Sequence, residues 1–130
     1  LTLTAARALD TNLSQTAMRF HGRVAVDANY NGLALDMTEG ERIANAMQGA
    51  DVVFLGNHGV IVCGERVDYA YDDLYYLERA CMHQVLAQST GRPLAPAPAA
   101  LAGTIYGDIS SIWNWIVAAA FPTRATTPAG

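Results

Sequence analysis

The chain has 130 residues, 52% hydrophobic and 15% charged, with eight basic against twelve acidic residues and a formal net charge of −4. A chain of about this length buries roughly two thirds of its unfolded surface, so it supports one globular domain, or part of one, without disulfides or a structural metal. An acidic sequence pI near 5.1 and the absence of any basic run argue against nucleic acid or an anionic membrane as partners.

The opening stretch to Arg19 reads as mixed and weakly helical, with Asp10, Thr11 and Asn12 as a turn. It has neither the basic segment nor the long apolar run of a signal peptide, and a start without Met is compatible with a lost upstream portion. Val24 and Val26 alternate with smaller or polar residues, which suits a short strand within Phe20 to Val26. Asp27 to Gly32 is dense in turn formers. Thr38 and Glu41 have the spacing of a capping box, in which the hydroxyl accepts a backbone N–H and the carboxylate reaches back to the N-cap. Ile43, Ala44 and Met47 follow at helical spacing, and Gly49 supplies the stop.

Asp51 to Gly56 is an apolar, β-branched run, and Val60 to Gly64 is a second one. Joined by so short a polar connection, they read as a β-hairpin in which Gly59 takes the positive φ that a three-residue loop requires and His58 stands at the tip. Ala70, Leu74, Leu77, Cys81 and Val85 then recur at spacings of three and four, predicting a helix from about Val67 to Ser89. Tyr71, Tyr75, Met82 and Leu86 widen its apolar surface, the pattern of a helix covered on two sides. Gly91 and Pro93 end it. Pro93 to Ala100 reads as an extended linker, and Ile109, Ile112, Trp113 and Ile116 as a further apolar helix running on to Phe121, shorter than the roughly 20 residues that span a bilayer. Cys63 and Cys81 lie inside apolar periodic segments without C-x-x-C spacing, and read as buried, reduced thiols of a cytoplasmic protein.

The residues able to carry chemistry are few. His21, His58 and His83 show no H-x-H, H-x-x-x-H or H-E-x-x-H spacing, so no local chelate can be drawn. His83, beside the apolar stripe, reads as a partly buried structural residue, and Asp72 and Asp73 as a solvated helix face, because adjacent helical residues point about 100° apart. His58 is the suggestive position. A rigid hairpin can present an imidazole reproducibly, but the Asn57-His58-Gly59 spacing fits an ordinary exposed turn equally well.

The ordered combination of Thr38 to Ala44, Val52 to Gly64 and Ala70 to Cys81, extended upstream by Gln15 to Phe20, Gly22 to Ala25 and Tyr30 to Ala34, resembles the C-terminal part of a class II aldolase/adducin domain over about residues 12 to 94. The resemblance implies an α/β fold, a three-layer α/β/α domain around a mostly antiparallel sheet, here N-terminally incomplete, and assembly as a homo-oligomer, usually a tetramer. It divides the chain into a partial domain over 1–94 and a Pro/Ala linker with a divergent apolar helix or tail over 95–130. It also implies a divalent metal, zinc first and manganese or iron as variants, held by three histidines, of which His58 matches the third.

The remaining two ligands of the family, an H-x-H pair, and its acidic acid/base residue fall upstream of Gln15 and have no counterpart in this sequence. The function so implied is that of a metal-dependent lyase of the aldolase or decarboxylase type acting on a small carbonyl or hydroxy-acid substrate, with the isolated chain inactive. The alternatives are a non-catalytic, adducin-like assembly module and an inactive truncated homologue.

Overall fold

The computed structural model describes residues 9–29 and 37–101. Six elements follow in order: α1 (Gln15–Met18), β1 (Val24–Asp27), α2 (Met37–Met47), β2 (Val52–Leu55), β3 (Gly59–Val62) and α3 (Val67–Ser89). The predicted turn is present at Asp10, whose carbonyl accepts the Leu13 N–H at 3.2 Å. Ser14 then caps α1, its Oγ accepting the Ala17 N–H at 3.1 Å.

The sheet has the order β1-β2-β3. It is mixed rather than mostly antiparallel: β1 and β2 run parallel, with Val24 opposite Val52 and Asp27 opposite Leu55, while β2 and β3 form the antiparallel hairpin. The reason lies in the connections. The segment between β1 and β2 holds a helix and is long enough for a parallel crossover, whereas Gly56, Asn57 and His58 alone join β2 to β3.

Side-chain alternation sorts the strands into two faces. Val24, Val52, Phe54, Val60 and Val62 point to one side, where they pack with Phe20, Leu77, Ala80 and Cys81 from α1's exit turn and α3. Val53 and Asp27 point to the other side, where α2 lies and Arg42 meets Asp27. The result is the expected three layers, α2, sheet and α3. Burying the fully enclosed Phe20, Leu77, Val52 and Val53 is worth about 1.5–3 kcal/mol each against leaving them in water.

Several local expectations change. Thr38 lies inside α2 and not at its N-cap, so it is no capping-box residue. The left-handed hairpin residue is Asn57, with φ 56°, and not Gly59, which is already in β3. Asparagine tolerates that region through its short polar side chain. Helix α2 does stop at a left-handed pair, Gln48 and Gly49, with φ of 50° and 84°.

Helix α3 has the predicted bounds but a different buried face. Asp73, Leu77, Ala80, Cys81 and Gln84 are inside, while Leu74 and Val85 are exposed. At 3.6 residues per turn that is a rotation of roughly 50° from the predicted stripe. Long-range polar partners cause it. Gln84 Oε1 accepts the Asp10 N–H at 2.7 Å, and Asp73 takes two arginines, Arg19 Nε at 2.8 Å and Arg23 Nη2 at 2.6 Å.

Asp73 is therefore the buried centre of an ion network, not part of a solvated face. Asp72 pairs with Arg19, and Asp51 with Arg23. Burial pulls the Arg23 pKa down, but its hydrogen bonds to Asp51 and Asp73 outweigh this and raise it. Tyr71, Tyr75, Met82 and Leu86, on the second side of α3, are exposed. His83 is exposed as well, being a helical step away from buried Gln84. Cys81 is buried as expected, but Cys63 is exposed because it lies just beyond the end of edge strand β3; both are free thiols.

After Ser89 the chain turns at Gly91, with φ 65°, and runs without regular structure over residues 93–98. The Ala97 N–H reaches back to the Asn12 carbonyl at 2.9 Å. The expected apolar helix of Ile109 to Phe121 lies outside the described residues, as do residues 30–32 of the predicted turn region. No helix among the described residues is long and apolar enough to cross a membrane.

Candidate functional site

The carboxyl ends of the parallel strands β1 and β2 lie side by side, the position at which open α/β sheets present ligand-binding loops. Two short segments leave the sheet there, Ala28-Asn29 after β1 and Gly56-Asn57-His58 after β2. They are joined backbone to backbone. The Asp27 carbonyl accepts the Gly56 N–H at 2.7 Å, and the His58 N–H donates to the Leu55 carbonyl at 3.1 Å to close the turn. Gly56 is required by contact: a Cβ at this position would stand 3.0 Å from the Ala28 carbonyl oxygen. With Asn57 in the left-handed region, the loop displays His58 on the exposed surface.

Next to this loop is a charged cluster that one-dimensional reading does not single out. Asp27, 5% exposed, accepts from Arg42 Nη1 at 2.5 Å, and Arg42 forks onto Glu39 with Nε to Oε2 at 2.9 Å and Nη2 to Oε1 at 2.6 Å. The Glu39 hydrogen bond first, and the Asp27 one second, raise the Arg42 pKa. The i,i+3 spacing of Glu39 and Arg42 on α2 is a signal legible in sequence; their link to Asp27 is not.

The three histidines do not come together. His21 precedes β1, at the end of the sheet opposite His58, and its exposed ring has Nδ1 at 3.2 Å from Thr11 Oγ1. His83 is on α3. Among the described residues no three His, Cys, Asp or Glu side chains form a metal-binding group. An exposed imidazole on this hydrogen-bonded loop has the right donor chemistry for a borderline divalent ion, but one donor falls short of the three or four protein ligands that such an ion takes. The described residues thus do not hold a metal by themselves.

Comparison with known proteins gives the family of the chain. The profile described as Class II Aldolase and Adducin N-terminal domain matches residues 1–85, a span that includes the His58 loop and most of α3. The chain is 34% identical over 104 residues to a 4-hydroxy-3-prenylphenylpyruvate oxygenase/4-hydroxy-3-prenylbenzoate synthase of Streptomyces roseochromogenus subsp. oscitans, covering 78% of this chain and 38% of that protein. It is 33% identical over 104 residues to the decarboxylase NovR of Streptomyces niveus, with the same coverage of 78% and 38%.

The crystal structure of an aldolase II superfamily protein from Pseudomonas syringae superposes with a TM-score of 0.69 at 31% identity, over 89% of this chain and 50% of the other. The chain therefore spans well under half the length of the two Streptomyces proteins and half of the solved one. On the profile match, and on the shared fold that carries the His58 loop, the chain belongs to the class II aldolase and adducin family.

Proposed function

We propose that the chain is part of a metal-dependent lyase of the aldolase or decarboxylase type, in which His58 contributes one imidazole to a divalent-metal site completed by donors outside the described residues. Members of the family are generally divalent-metal dependent, act on small molecules and are commonly oligomeric. The observation that carries the reading is the place of His58, on a backbone-tethered loop at the carboxyl ends of the parallel pair. The decarboxylase and synthase names of the Streptomyces proteins support carbon–carbon bond cleavage in a small carbonyl or hydroxy-acid substrate. A bound ion, zinc in this reading, supplies Lewis acidity toward a substrate oxygen. Residues 1–94 form the domain portion of this proposal, and residues 95–130 the linker and apolar tail.

The test is metal binding by the purified chain. Content of zinc, manganese and iron is measured with an equilibrium Zn²⁺ titration, for the parent and for His58→Ala. Loss of affinity on substitution supports the reading; measurable binding of equal affinity in the two proteins refutes it.

The exposed second side of α3 favours one other reading, a non-catalytic assembly module of the adducin type. Tyr71, Tyr75 and Leu86 are 71%, 47% and 57% exposed, and aromatic side chains are enriched in interfaces. Light scattering separates the two: an oligomer that dissociates with Tyr71→Glu and binds no metal favours assembly, and a metal-binding chain excludes it.

A further inference from the structure

The carboxylate of Asp27 has two tasks. Oδ1 accepts the Asn29 N–H at 3.1 Å, which fixes the turn by which the chain leaves β1, and Oδ2 accepts from Arg42. The fork of Arg42 on Glu39 orients its planar guanidinium so that Nη1 is offered to Asp27. The backbone of this same turn carries the His58 loop, because the Asp27 carbonyl takes the Gly56 N–H and Ala28 lies flat against Gly56 with no side chain between. The turn after β1 and the His58 loop are therefore in direct backbone contact.

We propose that Asp27, Arg42 and Glu39 form a positioning unit that sets the place and orientation of His58. This rests on the reading of His58 as the functional point of the chain. An ion pair with a purely structural task would fasten α2 to the sheet and go no further. The positioning role predicts an effect that reaches the imidazole, and the Arg19, Arg23 and Asp73 network provides the comparison. It too is a partly buried ion cluster, but it joins the starts of β1 and β2 to α3, at the opposite end of the strands from His58.

The experiment follows the His58 imidazole by NMR in the metal-free chain, its ring signal assigned through His58→Ala, and measures Zn²⁺ affinity in parallel. Asp27→Asn and the milder Arg42→Gln are each expected to move or broaden the His58 ring signal and to weaken Zn²⁺ binding about tenfold, the size typical of losing a group that orients a ligand. Asp73→Asn is expected to lower stability and leave both readouts at the parent values. An unchanged His58 signal in Asp27→Asn and Arg42→Gln overturns the proposal, and so does an equal change in Asp73→Asn. If His58→Ala leaves Zn²⁺ affinity intact, the metal reading falls on its own, and the ring signal alone decides whether the unit positions the loop.

Discussion

Replacing Asp73 by asparagine measures how firmly α3 is held to the rest of the fold. The side chain is 7% exposed, and its two oxygens accept from Arg19 at 2.8 Å and Arg23 at 2.6 Å. Hydrogen bonds to charged groups are worth about 1.5–3 kcal/mol each, and removing one partner of a buried ion pair costs about 3–5 kcal/mol. Two features lower that cost here. Arg19 keeps Asp72 and Arg23 keeps Asp51, and both guanidiniums retain solvent contact, at 24% and 22% side-chain exposure.

Asparagine also preserves one acceptor oxygen. The expected loss is about 2–3 kcal/mol, read as a lower urea midpoint at an unchanged slope. Asp72→Asn, at a carboxylate with 53% side-chain exposure, should cost about 1 kcal/mol or less, because water screens the exposed pair. If Asp73→Asn costs no more than Asp72→Asn, the network is not what fastens the helix.

Other substitutions test the hairpin and the thiols. Asn57→Ala places an ordinary side chain at φ 56° and should cost about 1–2 kcal/mol, whereas Gly59→Ala meets no atom within 4 Å and should fall within about 0.5 kcal/mol of the parent; thermal melts of both distinguish which residue makes the turn. Gly56→Ala forces a Cβ against the Ala28 backbone and should cost about 1–3 kcal/mol in the same assay. A thiol reagent should label Cys63 in the native chain and Cys81 only after unfolding.

Burial, helped by the charge of Glu78, pushes the Cys81 thiol up to about 11 from 9.0. The native chain then keeps a proton that the unfolded chain loses. The thiol's contribution is intact below pH 9.0 and lost as the pH rises through about 11. A urea midpoint that falls over this window in the parent and less in Cys81→Ala would bear this out; equal falls would not.

What sequence reading reaches here is what local periodicity and turn chemistry encode. The hairpin loop, the length of α3 and the position of His58 at a tip all follow from patterns confined to a few turns of chain. The buried face of α3 does not, because Asp73 and Gln84 go inside only when Arg19, Arg23 and the Asp10 N–H arrive from 50 or more positions away in the sequence. Polar residues buried by distant partners defeat any stripe drawn from apolar spacing.

Thr38 shows the opposite limit. Its capping-box spacing is real, but the helix begins a residue earlier and absorbs it. For the site, the Asn57-His58-Gly59 motif is visible in one dimension, while its neighbour Asp27 hides among turn formers until the parallel pairing of β1 and β2 brings Gly56 onto it.

The separation between Asp73 and its arginines also bears on time. Asp73 pairs with groups 54 and 50 residues earlier in the chain, while β2 and β3 meet across Gly56, Asn57 and His58. Nearby strands pair at little entropic expense, and distant partners must wait until the intervening chain is ordered. Interactions that form after the folding barrier leave the speed of folding nearly untouched and act on the rate of escape. The ion network beneath α3 is accordingly expected to act as a latch: Asp73→Asn should raise the unfolding rate and leave the folding rate near that of the parent, which a chevron of the two proteins checks.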